Sequence, residues 1–376
     1  MTFSDLKLSV PLLKALTKKG YTEPTPIQQQ AIPRILTGRD LFGCAQTGTG
    51  KTAAFALPIL QLLSQVRPAS PISVHALILA PTRELALQIN DNITGYATNL
   101  SIRHTVIYGG VSQHAQVQQL RKGVDLLVAT PGRLLDLCQQ GFISLKHIKF
   151  FVLDEADKML DMGFIRDIRK IIDKLPEHRQ SLFFSATTTK DIKSLANSIL
   201  FQPESISVAP VSSTTDLIKQ FLYYVPRENK RGLLEYILKT DNVGQALVFT
   251  RTKRGADKVA RALNSQGWRA EAIHGNKSQG ARVRALDGFK KKSIDVLVAT
   301  DIASRGIDVE NLSHVINYEL PDVAETYVHR IGRTGRAGAS GKALSFCTED
   351  ETEYLKDIHN LTKIQMEVIA KHPFSF

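Results

Sequence analysis

Two pairs of segments in this chain repeat one another at the same distance. ALILAPTRE (76–84) resembles ALVFTRTKR (246–254), VDLLVAT (124–130) resembles IDVLVAT (294–300), and both offsets are 170 residues. A shared offset is rarely produced by chance and points to a duplicated unit. Each segment is an apolar run ending in Thr or a Thr-Arg pair, as expected of a buried strand whose carboxyl end meets a loop. TKRGADKVARALNSQG and PGRLLDLCQQG show apolar residues at helical spacing and close on Gly. Strands alternating with such helices predict an α/β fold of two tandem units, each a parallel sheet flanked by helices. The expected bounds are residues 1–207 and 218–376, with a Pro/Ser/Thr-rich linker at 208–217. Ligands of such sheets sit beyond the carboxyl ends of the strands.

Length agrees with two units, since 376 residues exceed one ordinary core. No apolar run approaches the roughly 18 residues of a membrane span, and MTFSDLKLSV has an acid and no apolar core of a secretory signal. Cys44, Cys138 and Cys347 are widely spaced, which predicts reduced thiols in a cytoplasm and no structural zinc. The net charge of +12 is spread over both halves and permits a polyanionic partner without proving one. KKK at 290–292 reads as a solvated helix end, and Trp268 as a core residue.

One strand raises a chemical question. FFVLDEADKML sets Asp154, Glu155 and Asp157 directly behind the apolar run Phe151, Val152 and Leu153. Carboxylates this close repel one another and lose hydration when buried, so a cation, a water awaiting a base, or an arginine must compensate them. DLFGCAQTGTGKTAAFALPIL (40–60) supplies the answer. A strand, Leu41 to Cys44, runs into Ala45, Gln46, Thr47, Gly48, Thr49, Gly50, Lys51 and Thr52, and an apolar helix follows. Gly48 and Gly50 let backbone N–H groups curl around phosphate oxygens, Lys51 offers charge to the outer phosphates, and Thr52 can place its hydroxyl on Mg²⁺. Ala45 stands where the general phosphate-loop pattern has Gly. On this reading Asp154 holds the magnesium, partly through water, and Glu155 orients and deprotonates an attacking water.

With these residues in place the chain resembles a DEAD-box ATP-dependent RNA helicase, from about Phe3 to Gly338. The resemblance implies two RecA-like domains. GYTEPTPIQ (20–28) is similar to the family's adenine-reading Q motif, which implies that Gln28 selects ATP while Tyr21 stacks on the base and Phe3 is the upstream aromatic. Residues alone make PTPIQ only a loop. SAT (185–187) resembles the segment whose hydroxyls, here Ser185 and Thr187, bond to Asp157 and link the ATP state to the RNA state. YVHRIGRTGRAG (327–338) carries three arginines three apart; Arg333 and Arg336 match the family's arginine fingers, and His329 is implied to bond toward the acids. DIASRGIDV (301–309) resembles motif V, with Gly306 and Asp308 near the ribose and Ser304 where many members have Ala.

The same resemblance implies an RNA track of sequence-independent phosphate contacts. The first half would supply Pro81, Thr82, Arg83, Gly109, Gly110, Thr130, Pro131, Gly132 and Arg133; the second would supply Thr250, Arg251, Gly275, Gln279, Arg282 and Thr300. Within the family, FTRTKRGADKVARAL and AIHGNKSQGARVRAL look most like the bacterial RhlE-type branch. A monomeric, cytoplasmic core is implied, with ATP and Mg²⁺ as cofactors, RNA as partner, and work alongside ribosome-assembly or RNA-turnover proteins. Two other readings stay open: a DNA helicase or translocase on the same core, and an ATP-gated RNA clamp that does not unwind. The DEAD tetrad, the Q motif and SAT speak against the first; nothing in the sequence separates the second. A GTPase is disfavoured, since no NKxD-type guanine reader follows the loop.

Overall fold

The computed structural model describes residues 1–46, 48–65, 73–208, 218–241, 243–304, 309, 312–335 and 341–375. Chain contacts divide into two compact units, Met1–Pro210 and Val211–Phe376. The first contains β1 (Leu41–Cys44), β2 (Ala76–Leu79), β3 (His104–Ile107), β4 (Leu126–Ala129), β5 (Phe150–Leu153), β6 (Gln180–Ser185) and β7 (Glu204–Ser207). They form one parallel sheet in the order β3-β4-β2-β5-β6-β1-β7. The second contains β8 (Ile218–Tyr224), β9 (Ala246–Phe249), β10 (Ala270–Ile273), β11 (Val296–Ala299), β12 (His314–Asn317), β13 (Gly341–Cys347) and β14 (Glu367–Val368). Its order is β10-β11-β9-β12-β13-β8-β14, again parallel throughout.

The two orders are the same permutation of seven strands. The segments that repeat at 170 residues are β2 with β9 and β4 with β11; β2 and β4 are neighbours in the first sheet, as β9 and β11 are in the second. Burial explains their sequence. Along β2, Ala76 and Ile78 enter one apolar cluster while Leu77 and Leu79 enter the other, so both faces are covered and no polar residue is tolerated. β9 repeats this with Ala246 and Val248 against Leu247 and Phe249. The helices Pro131–Gln139 and Lys253–Ser265 end as expected, one residue short of a left-handed glycine's neighbour, with Gly141 at φ +78° and Gly267 at φ +86°. Lys290, Lys291 and Lys292 are exposed at the end of helix Gln279–Lys290, and Trp268 packs half-buried against the second core.

Among the described residues no helix is long and apolar enough to cross a membrane. The cysteines are free thiols. Burial pushes Cys138 up to about 11 and Cys347 up to about 12, so neither is a ready nucleophile.

Candidate functional site

All strands of each sheet run the same way, so the loops after them share one edge. In the first unit Ala45 follows β1, Ser185 closes β6 and Asp154 follows β5, and these are three adjoining strands. Thr82, Gly109 and Thr130 follow β2, β3 and β4, three more adjoining strands on the other side of the sheet from β1. Topology therefore sorts the predicted nucleotide residues from the predicted RNA residues along one edge. The second unit repeats the arrangement on the RNA side, with Thr250 after β9, Gly275 beyond β10 and Thr300 after β11.

The phosphate loop is held from three directions. Ala45 N–H donates to Ser185 O at 3.0 Å. Lys51, the first residue of helix Lys51–Gln65, is buried and donates Nζ–H to Ala45 O at 2.8 Å, folded back over the loop. Thr49 Oγ1 donates to Gln46 O at 2.7 Å. Thr52 is half-buried in the first helical turn, and Gly48 has φ +84°. Gly50, at φ +91°, has no room for a side chain: a Cβ there would lie 2.4 Å from Gln28 Nε2.

That contact locates the Q-motif glutamine. PTPIQ is not a loop: Pro26 opens helix Pro26–Leu36. Gln28 is its N3 residue, and its Oε1 accepts from Thr25 N–H at 2.9 Å. The Thr-x-x-Gln capping box was the signal in the sequence. Gln28 Nε2 donates to Gly50 O at 3.1 Å, so this buried amide touches the phosphate loop directly. One donor and one lone pair of the amide remain for a base. Tyr21 is about one-third exposed, its hydroxyl 3.1 Å from the Tyr96 hydroxyl and its ring 6.2 Å from that of Phe3.

The acids are deeply buried. Asp154 accepts from Glu155 N–H at 3.0 Å, and Glu155 Oε1 accepts from Lys158 Nζ–H at 2.7 Å with both side chains nearly inaccessible. Lys158 was not foreseen; its position three residues on, in helix Ala156–Asp161, brings it back onto Glu155. Glu155 has φ +53°, a left-handed conformation that costs a non-glycine residue free energy and is concentrated at functional positions. Loss of hydration raises the Asp154 carboxyl to about 6, with Lys51 opposing the rise and Glu155 adding to it.

The link from DEAD to SAT differs from expectation. Asp157 Oδ2 accepts from the backbone N–H of Ala186 at 3.0 Å, not from a hydroxyl. Ser185 Oγ donates to Thr187 O at 2.8 Å and accepts from Thr187 N–H at 3.2 Å. The hydroxyl shapes the turn, and the turn presents the amide to Asp157.

Among the residues expected to meet RNA, Thr82 and Thr130 are buried at the N-caps of helices Arg83–Tyr96 and Pro131–Gln139, with Pro81 before the first, and Pro131 and exposed Gly132 opening the second. Arg83 lies flat against Gly110, where a Cβ would fall 2.2 Å from its Nη1. Gln116 holds Tyr108, next to Gly109, by its N–H at 3.2 Å and its O at 3.1 Å, and also accepts from Arg133 Nη1–H at 3.1 Å. In the second unit Thr250, Gln279, Arg282 and Thr300 are buried, and a Cβ placed on Gly275 would lie 3.6 Å from Lys253 Cε. Arg251 Nη2 is 3.1 Å from Glu351 Oε1.

Arg330 and Arg333 are not equivalent. Arg330 is fully buried, donates to both oxygens of Asp301 at 2.6 and 2.7 Å, and reaches Asn317 Oδ1 and Glu319 O. It ties the ends of β11 and β12 together, a structural part for which its sequence neighbourhood gave no sign. Arg333 is buried two residues past helix Ala324–Ile331, on which His329 is half-buried. Thr47, Gly306, Asp308, Arg336 and residues 209–217 of the expected linker lie outside the described residues.

Two family models cover most of the chain: DEAD/DEAH box helicase at residues 25–195 and helicase conserved C-terminal domain at 229–338. The ATP-dependent RNA helicase CshA of Limosilactobacillus reuteri is 42% identical over 97% of this chain and 73% of its own length. The DEAD-box ATP-dependent RNA helicase CshA of Bacillus subtilis is 43% identical over 98% and 74%. Among solved structures, S. cerevisiae Dbp5 bound to RNA and ADP BeF3 superposes with a TM-score of 0.85 at 32% identity, covering 98% of this chain and 95% of that one. Mss116p bound to ssRNA and AMP-PNP gives 0.86 at 29% identity, covering 99% and 80%. These relatives do not confirm the RhlE-type branch. The chain belongs to the DEAD-box ATP-dependent RNA helicases.

Proposed function

We propose that this chain is an RNA-stimulated ATPase that locally opens short RNA duplexes or remodels RNA–protein complexes, its two units (1–207 and 218–376, joined by 208–217) closing on ATP and RNA together. The observation that carries the reading is the placing of Lys51 beyond β1 and of Asp154 and Glu155 beyond β5, on either side of β6, with the first unit's proposed RNA residues beyond β2, β3 and β4. Lys51 leaves Ala45 O for the outer phosphates of ATP, and Gln28 and Tyr21 receive the adenine. Glu155 accepts a proton from water as its oxygen bonds to the γ-phosphorus; the bond to the β–γ bridging oxygen breaks and ADP leaves. Arg333 and Arg336 stabilise the charge on the transferring phosphoryl group, and Gly306 and Asp308 meet the ribose.

Asp154 fits a divalent cation, because its buried carboxylate has lost hydration and is raised to about 6. Asp154 and Thr52 would hold Mg²⁺, phosphate oxygens and water completing its shell. The ion supplies neutralisation of the outer phosphates. RNA-contacting residues on both units grip phosphates without reading bases, so RNA of any sequence should serve. We further place the protein in the cytoplasm, as a monomeric core working with ribosome-assembly or RNA-turnover proteins.

A short fluorescent RNA duplex separates unwinding from clamping. ATP should part its strands; RNA that stays bound and paired through many turnovers would instead favour the clamp. Gln28→Ala should raise the KM for ATP by about tenfold, one lost buried hydrogen bond, and leave GTP a poor substrate. Equal hydrolysis of GTP by the unaltered protein would remove the adenine assignment.

The raised Asp154 carboxyl also makes a stability prediction. Its folded pKa lies above the unfolded value, so the folded state binds the proton more tightly. Its contribution to stability is complete at low pH and is lost as pH rises from about 4 toward 6. Asp154→Asn should therefore stabilise the ligand-free protein at pH 7.5 by on the order of 2 kcal/mol, while removing hydrolysis. Calorimetry should show the gain at pH 7.5 and its disappearance near pH 4; an unchanged or lower midpoint at pH 7.5 contradicts it.

A further inference from the structure

Glu351 is fully buried in the turn Glu349–Glu351 beyond β13, and the mechanism above does not use it. Oε2 accepts from Lys230 Nζ at 2.5 Å, Thr348 N–H at 3.2 Å and Thr348 Oγ1 at 3.0 Å. Oε1 faces Arg251 Nη2 at 3.1 Å and accepts from Leu320 N–H at 3.2 Å. Lys230 is itself buried, so neither of these two charges meets water. Arg251 is different. A quarter of its side chain is exposed, while its backbone N–H donates to Glu319 Oε2 at 2.6 Å and its guanidinium lies 5.5 Å from the Tyr354 ring. The remaining guanidinium N–H groups have no partner among the described residues. Beside it opens a cavity of about 680 Å³ with Arg227, Arg231 and Lys258 in its wall.

An arginine that grips a phosphate normally loses its rotamer freedom at that moment; one already fixed loses little. We propose that Glu351 is a positioning residue for RNA binding. It fixes Arg251 at the carboxyl edge of the second sheet so that the outward N–H groups meet an RNA phosphate without an ordering cost. This rests on the assignment of Arg251 to the RNA track. The rival account, that Glu351 only compensates buried Lys230, makes a different prediction. Glu351→Gln adds one net positive charge, so electrostatics alone would tighten RNA binding, whereas loss of positioning weakens it.

The test is single-stranded RNA affinity by fluorescence anisotropy at fixed salt, paired with the RNA concentration that half-saturates ATP turnover. Glu351→Gln should weaken both by about three- to tenfold, the cost of ordering one arginine, with kcat at saturating RNA within about twofold of the unaltered protein. The Gln substitution should cost nothing further in the Arg251→Ala background, because the two act through one contact. Since Glu351→Gln strands the Lys230 ammonium, Lys230→Met/Glu351→Gln repeats the measurement in a relieved core, with a melting curve for each variant. Tighter binding by the Gln variants, or the same loss with and without Arg251, overturns the proposal. If Arg251→Ala alone leaves RNA affinity unchanged, the assignment of Arg251 to RNA is what fails, and the positioning role falls with it.

Discussion

Arg333→Ala is expected to lower RNA-stimulated ATP turnover by roughly 10³–10⁵-fold, the range for loss of an arginine finger in phosphoryl transfer. Arg333 belongs to the second unit and Lys51 and Glu155 to the first, so the proposed mechanism requires both units for one turnover. Its charge acts chiefly in the transition state, and the loss should fall on kcat. Glu155→Gln removes the proposed base but keeps shape and hydrogen bonding, and it should also halt turnover. The two variants should then part company. With ATP present, Glu155→Gln should hold RNA tightly, while Arg333→Ala should show no stable trapping. The measurement is RNA affinity with ATP alongside turnover. Normal RNA-stimulated turnover in Arg333→Ala would mean that the second unit takes no part in the chemistry.

Lys51→Ala should lower hydrolysis by at least about 10²–10³-fold, the cost of removing one preorganised group from developing charge. Lys51 also sits over the loop on Ala45 O, so its loss loosens the loop as well as removing charge. Circular dichroism must show an unchanged fold for the result to count. Turnover near that of the unaltered protein would sink the phosphate-loop assignment.

Much of the architecture was legible because burial leaves a strong mark on sequence. The 170-residue repeat marks β2 with β9 and β4 with β11, strands covered on both faces, where only apolar runs are tolerated. The phosphate-loop strand runs over Leu41–Cys44 as read, and the acids follow β5. What stayed hidden depends on partners distant in the chain or on backbone atoms. Asp157 reaches Ala186 through an N–H that every non-proline residue has, so no residue type could announce it. Arg330 and Arg333 look alike at a spacing of three, yet Arg330 is committed to Asp301, Asn317 and Glu319, which only folding brings near. Lys158 over Glu155 was the exception, since its spacing was in view and its meaning was not. Gln28 was identified from family resemblance, but its bond to Gly50 O came only from the fold.

ATP hydrolysis with no nucleic acid, with single-stranded RNA and with DNA of the same sequence tests the central claim most directly. The residues after β2, β3 and β4 and after β9, β10 and β11 are read as an RNA track that completes the ATP site only when occupied. Turnover should therefore be slow alone, rise several-fold or more with RNA of any sequence, and stay near the basal rate with DNA. Turnover that is equally fast with no nucleic acid, or that DNA stimulates as well as RNA, would contradict the account.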